Sequence, residues 1–135
     1  MRIHRSFEKI GMPLRKTKVM EWNKVFCHVP EQYRSHFIRG LFDGDGCIYV
    51  GNHPKSGTRL MINFVSASSN FIYPMMEFIK TVTTTKSIVR IDKNGYYHID
   101  LSYKKAEELC NYFYEKSEDM RLCRKYDKYI KYIYR

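Results

Sequence analysis

Residues 37–48, Phe-Ile-Arg-Gly-Leu-Phe-Asp-Gly-Asp-Gly-Cys-Ile, decide the fold of this chain. The first half of the stretch has helical spacing, because Phe37 and Leu41 lie four residues apart and Ile38 and Phe42 repeat that spacing one residue later. The second half, Asp-Gly-Asp-Gly, is rich in glycine, as the carboxyl ends of helices commonly are. The stretch therefore predicts a helix with an apolar face that ends among acidic residues.

The acidic residues lie at the less favourable end of this helix. The carbonyl end carries about half a negative charge, which favours cations there, yet Asp43 and Asp45 occupy it. Two acids in that position indicate a site for a divalent cation, or for chemistry that needs one. Gly40 and Gly44 lie four residues apart on one side, and because each costs about 1 kcal/mol of helix propensity, we expect another backbone to approach closely.

Two simpler explanations of Asp-Gly-Asp-Gly fail on spacing. Counted from Asp43, the fifth and twelfth positions of a calcium loop are Cys47 and Pro54, which lack the required oxygen ligands. A phosphate-binding loop needs Lys-Ser or Lys-Thr after the glycines, and neither follows. Asp-Gly-Asp-Gly alone is a common turn composition, but the preceding helix and its glycine pair favour a functional motif.

Composition favours a nucleic-acid partner. The 135 residues carry 24 Lys and Arg against 14 Asp and Glu, a net charge of +10, and such an excess favours binding to a polyanion. We expect neither a signal peptide nor a membrane span. Cys47, Cys110 and Cys123 have apolar neighbours and form no CxxC pair, so we expect reduced core residues in an intracellular protein of the cytoplasm, nucleoid or an organelle.

Downstream of the motif the pattern predicts two β-hairpins and three further helices. The strands are predicted at 47–50, 59–65, 87–92 and 96–101, the last two around Asn94-Gly95. The helices are predicted at 71–82, 104–114 and 119–133. This order predicts an α+β fold with one four-stranded antiparallel sheet, helices on one face and the other face open.

The motif Ile38–Gly46 and this element order together resemble the LAGLIDADG homing endonucleases. The resemblance covers about the last hundred residues and implies an αββαββα half-saddle over residues 32–135. Residues 1–31 then form a basic N-terminal extension or correspond to the segment that joins two repeats, in which case Lys16 is a further candidate for the site. One motif copy implies a homodimer with paired motif helices, although one half of a longer two-repeat protein remains open.

The resemblance also implies which residues carry the chemistry. Asp45 corresponds to the metal-binding acid of the family, with the carbonyl of Gly44 beside it, and Mg²⁺ or Mn²⁺ is the implied cofactor, with no small-molecule cofactor. Lys125, or Arg124 as second choice, corresponds to a catalytic cation, although both equally fit a solvated helix face. The implied dimer interface comprises Gly40, Leu41, Asp43 and Gly44, with Asp43 in a structural role.

Strand alternation divides the sheet residues between two faces. The helix-facing set is predicted as Ile48, Val50, Leu60, Ile62, Phe64, Val89, Ile91, Ile99 and Leu101. The opposite face of the sheet, which we call the open face, is predicted to hold Tyr49, Gly51, Arg59, Met61, Asn63, Arg90, Asp92, Tyr96, His98 and Asp100. The predicted DNA contacts on it are Tyr49, Arg59, Asn63, Arg90, Asp92 and His98, because Arg, Asn and Asp match base edges in a major groove. His53 and Lys55, at a strand connection, are expected to contact phosphates.

These observations predict a site-specific DNA endonuclease of homing type, which cuts both strands of double-stranded DNA as a metal-dependent homodimer. Intron, intein and free-standing genes are all compatible with the sequence. The alternative is a module on the same fold that binds nucleic acid without cleavage, such as an RNA maturase or a transcriptional regulator.

Overall fold

The computed structural model describes residues 20–135. Its helices are Trp22–Phe26 (α1), Arg34–Asp45 (α2), Ser69–Val82 (α3), Tyr103–Tyr114 (α4) and Cys123–Ile133 (α5), with a 3₁₀ turn, Glu31–Tyr33, before α2. Its strands are Cys47–His53 (β1), Gly57–Ser66 (β2), Arg90–Ile91 (β3) and Tyr97–Ser102 (β4). Lys16 and the rest of residues 1–19 lie outside the described residues.

The strands form one four-stranded antiparallel sheet in the order β1-β2-β4-β3. This confirms the predicted α+β fold and its element order. The first hairpin is longer than predicted, since β1 continues to His53 and pairs there with Gly57. Gly57 has a φ of +74°, a conformation that glycine adopts without steric cost.

The second hairpin is shorter than the predicted 87–92 and 96–101. The hydroxyl of Thr85 accepts a hydrogen bond from the backbone N–H of Ser87 at 3.2 Å and donates to the Ser87 hydroxyl at 3.1 Å. Such local bonds compete with strand pairing, and β3 begins only at Arg90. Ile91 was predicted to face the helices, but it is 57% exposed, because it lies in a two-residue edge strand whose inner face is not covered by residues 20–135.

The core lies between the helices and the inner face of the sheet. Leu60 and Ile62 of β2 and Ile99 of β4 are at most 1% exposed, and they belong to one core cluster with Ile38 and Phe42 of α2. The predicted alternation along β2 and β4 is therefore confirmed. Since α2 contributes fully buried side chains, its carboxyl end has a fixed place relative to the sheet.

The short helix α1 belongs to this core although it precedes the predicted domain start. Trp22 is 2% exposed and stacks on Phe26 with a ring-centroid separation of 4.6 Å. It also meets Phe37 of α2 and Phe71 of α3 edge-on, at 5.5 and 5.3 Å. The core therefore extends at least ten residues ahead of the predicted boundary at residue 32.

The cysteines differ from the prediction at two positions. All four are free, and Cys110 is buried as predicted, but Cys47 and Cys123 are exposed. Cys47 starts β1 and pairs with Asn63 on the open face, and Cys123 lies in the first turn of α5, so their apolar sequence neighbours did not indicate burial. No helix within residues 20–135 has both the length and the apolar composition needed to cross a bilayer.

Candidate functional site

Helix α2 ends at Asp45, and the backbone becomes extended at the next residue, Gly46, with φ −75° and ψ 161°. The N–H of Gly46 donates to the carbonyl oxygen of Phe42 at 2.9 Å. A Cβ atom at residue 46 would lie 2.7 Å from that oxygen and 2.9 Å from the Phe42 Cα. Glycine is therefore required where the chain leaves the helix for β1, directly after Asp45.

Lys125 of α5 reaches the carboxyl end of α2. Its Nζ donates to the carbonyl oxygens of Phe42 at 2.5 Å and Asp43 at 3.2 Å, and also to that of Gly46. In return the Oδ2 atom of Asp43 accepts a hydrogen bond from the backbone N–H of Leu122, at the start of α5, at 3.0 Å. Each helix thus supplies a side chain that hydrogen-bonds backbone groups at the end of the other helix. We call this pair of interactions the reciprocal cap.

The reciprocal cap explains how this helix end accommodates acids. Lys125 is 5% exposed, and burial is the main reason why its pKa lies below the ordinary lysine value. Arg124 lowers the pKa further, whereas the nearby Asp43 and Asp45 partly restore it. A buried ammonium group beside the last carbonyls offsets the negative end of the helix dipole. A catalytic role for Lys125 remains a prediction, but its hydrogen-bonding capacity is used by backbone carbonyls.

The two acids of the motif have different surroundings. Asp43 is half-buried and binds α5 through Oδ2, while its Oδ1 atom is buried and has no hydrogen-bond partner among residues 20–135. Asp45 is exposed and also borders a 40 Å³ apolar cavity with Leu41. The Asp43 carboxylate therefore has a structural contact with α5, whereas the Asp45 carboxylate faces solvent.

The predicted interface residues of α2 also differ in exposure and in contacts. Gly40 and Gly44 are exposed, and a Cβ atom on either would meet no described atom within 4 Å apart from its chain neighbours and the backbone of its own helix. Leu41 is half-buried. The close backbone expected at the glycine pair is therefore not supplied by residues 20–135, and Asp43 is turned toward α5 of its own chain.

The donor set at this helix end is made of oxygen atoms. Within residues 20–135, no three or more His, Cys, Asp or Glu side chains are grouped to hold a metal ion. Magnesium needs only one or two carboxylates when substrate phosphates complete its coordination. Asp45 and the carbonyl of Gly44 fit such a cation, since carbonyls in a last helical turn have no intrahelical partner. Arg124 is an exposed cation in the same helical turn as Lys125.

Four of the eight predicted DNA contacts form one hydrogen-bonded cluster with Asp100 on the open face. Sheet pairing brings Asn63 opposite Asp100, and Arg90 opposite His98. Asn63 Nδ2 donates to Asp100 Oδ1 at 2.7 Å, and Arg90 Nε donates to Asp100 Oδ2 at 2.8 Å. His98 Nε2 lies 2.7 Å from Asp92 Oδ2, and its Nδ1 lies 3.1 Å from Asn63 Nδ2. We call these five residues the open-face cluster.

Asp92 was predicted to contact bases, but its carboxylate is occupied within the hairpin. Its Oδ1 accepts hydrogen bonds from the backbone N–H groups of Asn94 at 2.8 Å and Tyr96 at 3.0 Å. The hydrogen bond with His98, and then that from the Tyr96 amide, lower the pKa of Asp92. Asp92 therefore stabilises the turn and orients His98.

The other predicted contacts lie on the first hairpin. Tyr49 is 60% exposed, and its ring leaves no room for a Cβ atom on Gly51. The guanidinium of Arg59 lies 5.6 Å from the centroid of the Tyr103 ring. His53 Nδ1 accepts from the N–H of Lys55 at 3.3 Å, and both residues are exposed at the turn.

Sequence reasoning missed the hydrogen-bonding roles of two side chains, Arg39 and Asp100. Arg39 of α2 is only 6% exposed and donates to His36 Nδ1 at 2.7 Å and to the Phe113 carbonyl at 3.5 Å. Burial is the main cause of its lowered pKa. Asp100 was placed on the open face but not among the functional residues. Pairing the two hairpins in register would have indicated its position between Asn63 and Arg90.

The family follows from comparison with known proteins. A sequence profile of the LAGLIDADG-like domain matches residues 32–112, which is more than half of the chain. The chain therefore belongs to this family, and the resemblance inferred from the motif is confirmed. A search of curated proteins returned no match.

Solved structures of homing endonucleases are also similar to this chain. I-DmoI in complex with DNA and Ca is 30% identical over 65% of this chain and 47% of its own, with a TM-score of 0.45. I-CvuI in complex with the I-CreI target is 13% identical over 61% of this chain and 55% of its own, with a TM-score of 0.45. I-LtrWI bound to target DNA is 18% identical over 64% of this chain and 30% of its own, with a TM-score of 0.43. The chain matches about half or less of the length of these proteins.

Proposed function

We propose that this domain is a site-specific, intracellular DNA endonuclease that hydrolyses phosphodiester bonds with the help of a divalent metal ion. Membership of the LAGLIDADG family supports the class of protein. One observation carries the assignment of the site: helix α2 ends in an exposed carboxylate, Asp45, while the neighbouring Asp43 is used by α5 of the same chain. A metal ion would give the solvent-facing Asp45 a cation of its own, since the Lys125 ammonium is occupied by the carbonyls of the helix end.

In this proposal Asp45 and the carbonyl of Gly44 bind the metal ion. Bound Mg²⁺ or Mn²⁺ would neutralise the scissile phosphate and activate a water molecule. Lys125 keeps the last turn of α2 in place through its carbonyl contacts and thereby positions Asp45. Arg124, exposed one residue away, is available to stabilise charge on the phosphate.

We further propose that the active form is a homodimer assembled through α2. Gly40 and Gly44 are exposed on this helix and leave space where side chains would otherwise stand. A second copy of the helix could approach closely there and bring two Asp45 carboxylates near each other, one for each strand of DNA. A two-fold dimer would recognise a pseudo-palindromic site.

Double-stranded DNA is the proposed partner, bound across the open face of the sheet. The net charge of +10 favours association with phosphates. Arg90 is 54% exposed at the side chain, and Tyr49 and Lys55 are also exposed. A twisted β surface of this kind fits a major groove, where base edges are distinguishable.

A cleavage assay on a randomised plasmid library tests the proposal. The library is incubated with Mg²⁺, Mn²⁺ or Ca²⁺, or with EDTA, and the products are sequenced. Asp45→Asn should abolish cutting while binding persists, because it removes the charge but keeps the shape. Asp127→Asn, a matched change at an exposed position of α5, should leave both unchanged.

Two outcomes would contradict the proposal. Cutting by Asp45→Asn at the wild-type rate would exclude Asp45 as the metal ligand. A wild type that binds a specific site and cuts with none of the metals would instead favour the non-cleaving alternative, a maturase or a regulator.

A further inference from the structure

The open-face cluster has hydrogen-bond directions that elementary chemistry determines. An ionised carboxylate can only accept, so the Asn63 atom 2.7 Å from Asp100 Oδ1 is the amide nitrogen. The same nitrogen lies 3.1 Å from His98 Nδ1, which must therefore accept. The proton of neutral His98 is then on Nε2, and that atom lies 2.7 Å from Asp92 Oδ2. Each donor in this series meets an acceptor.

Arg90 is oriented by the same carboxylate. Its Nε and one Nη atom lie 2.8 and 3.5 Å from the two oxygens of Asp100, so one edge of the guanidinium is used within the protein. The side chain remains 54% exposed, and the N–H groups of its other edge are available to a ligand. Two parallel N–H donors match N7 and O6 of guanine.

Asn63 offers a ligand a hydrogen-bond acceptor, whereas Arg90 offers donors. Its amide hydrogens are directed at Asp100 and His98, with the Ile99 carbonyl 3.5 Å away, so the group that it can offer to DNA is the carbonyl oxygen Oδ1. A free asparagine binds adenine through both an acceptor and a donor. An acceptor alone binds an amino group, which adenine carries at N6 and cytosine at N4.

We propose that Asp100 is a specificity-determining positioning residue that fixes Arg90 as a donor for guanine and Asn63 as an acceptor for the amino group of adenine or cytosine. This inference rests on the proposed DNA-binding function. It predicts two adjoining preferences in each half-site: a sharp guanine position, and a degenerate position that accepts adenine or cytosine and rejects guanine and thymine.

The arrangement is tested first without DNA. Nitrogen-15 NMR of the free protein in mildly alkaline buffer should show neutral His98 as the Nε2–H tautomer, and the Arg90 Nε–H should exchange slowly with water. Asp100→Asn should accelerate that exchange. An Nδ1–H tautomer in the wild type would overturn the series of hydrogen bonds.

The second test measures base preference by selection from a randomised duplex library. Asp100→Asn should reduce the guanine preference from about ten-fold or more to about two-fold, and it should abolish the adenine-or-cytosine preference. Glu77→Gln is the matched control, since it removes one exposed carboxylate from α3, on the helix side of the sheet. Both variants should bind a scrambled duplex slightly more tightly than the wild type, and only Asp100→Asn should change the preferences.

The outcomes separate this inference from the proposed function. If the wild type selects no sequence, the proposed function is refuted together with the inference. If the wild type selects a sequence and a folded Asp100→Asn variant keeps the same preferences, the inference alone is refuted. If Asp100→Asn does not fold, Asp100→Ser, which also removes the carboxylate, should show the same loss of the guanine preference, and an unchanged preference would refute the inference.

Discussion

Replacing Lys125 by methionine tests the reciprocal cap between α2 and α5. The Phe42 carbonyl keeps its hydrogen bond from Gly46, but the carbonyls of Asp43 and Gly46 lose the Nζ donor. These two carbonyls are partly buried, and an acceptor left without a donor costs up to about 1–3 kcal/mol. Methionine has an unbranched side chain of similar length and avoids the cost of desolvating an ammonium group, so part of that loss is recovered. We expect a net destabilisation of about 2–4 kcal/mol.

Urea denaturation followed by far-ultraviolet circular dichroism measures this loss. With an m-value of about 2 kcal/mol/M, the unfolding midpoint should fall by about 1–2 M. Lys128→Met, at an exposed position of the same helix, is the control and should change the free energy of unfolding by less than about 0.5 kcal/mol.

The same variant separates a positioning role from a direct catalytic one. If Lys125 acts by holding the last turn of α2, stability and cleavage should fall together. A Lys125→Met protein as stable as the wild type that no longer cuts would refute this reasoning, since it would assign the side chain to the chemistry itself.

Three further predictions concern the helix end, the hairpin and the DNA contacts. Gly46→Ala should lower stability by about 1–3 kcal/mol in a thermal melt, because the new Cβ atom would press on the Phe42 backbone; an unchanged melt would contradict the fit at residue 46. The folded-state pKa of Asp92 lies below its ordinary value of 3.8. The ionised Asp92 carboxylate therefore stabilises the folded state fully at pH values above 3.8, and this stabilisation is lost as the pH falls through the folded-state pKa. NMR amide signals of Asn94 and Tyr96 should show this transition in the wild type and lose it in Asp92→Asn. Lys55→Ala should reduce the slope of log affinity against log salt by about 0.9 and weaken all DNA sequences alike; a sequence-dependent loss would instead assign Lys55 to base contacts.

Periodicity made most of the fold predictable from the sequence. The four-residue spacing of Phe37, Leu41 and their neighbours indicated α2, and alternation along β2 indicated which residues would be buried. These patterns are local, because the side-chain direction repeats with the geometry of each element. Where local hydrogen bonds competed, as at Thr85 and Ser87, the predicted strand was too long.

The sequence by itself determined the family, the sheet and the acidic end of the motif helix. Only the tertiary structure decided that Asp43 has a structural contact while Asp45 faces solvent. Asp43 binds Leu122, 79 residues away, and Lys125 binds Phe42, 83 residues away. The tertiary structure likewise decided the role of Asp100, which lies between partners from β2 and β3. Such contacts depend on how separate elements pack and in which register the strands pair, and no spacing within a single element carries that information.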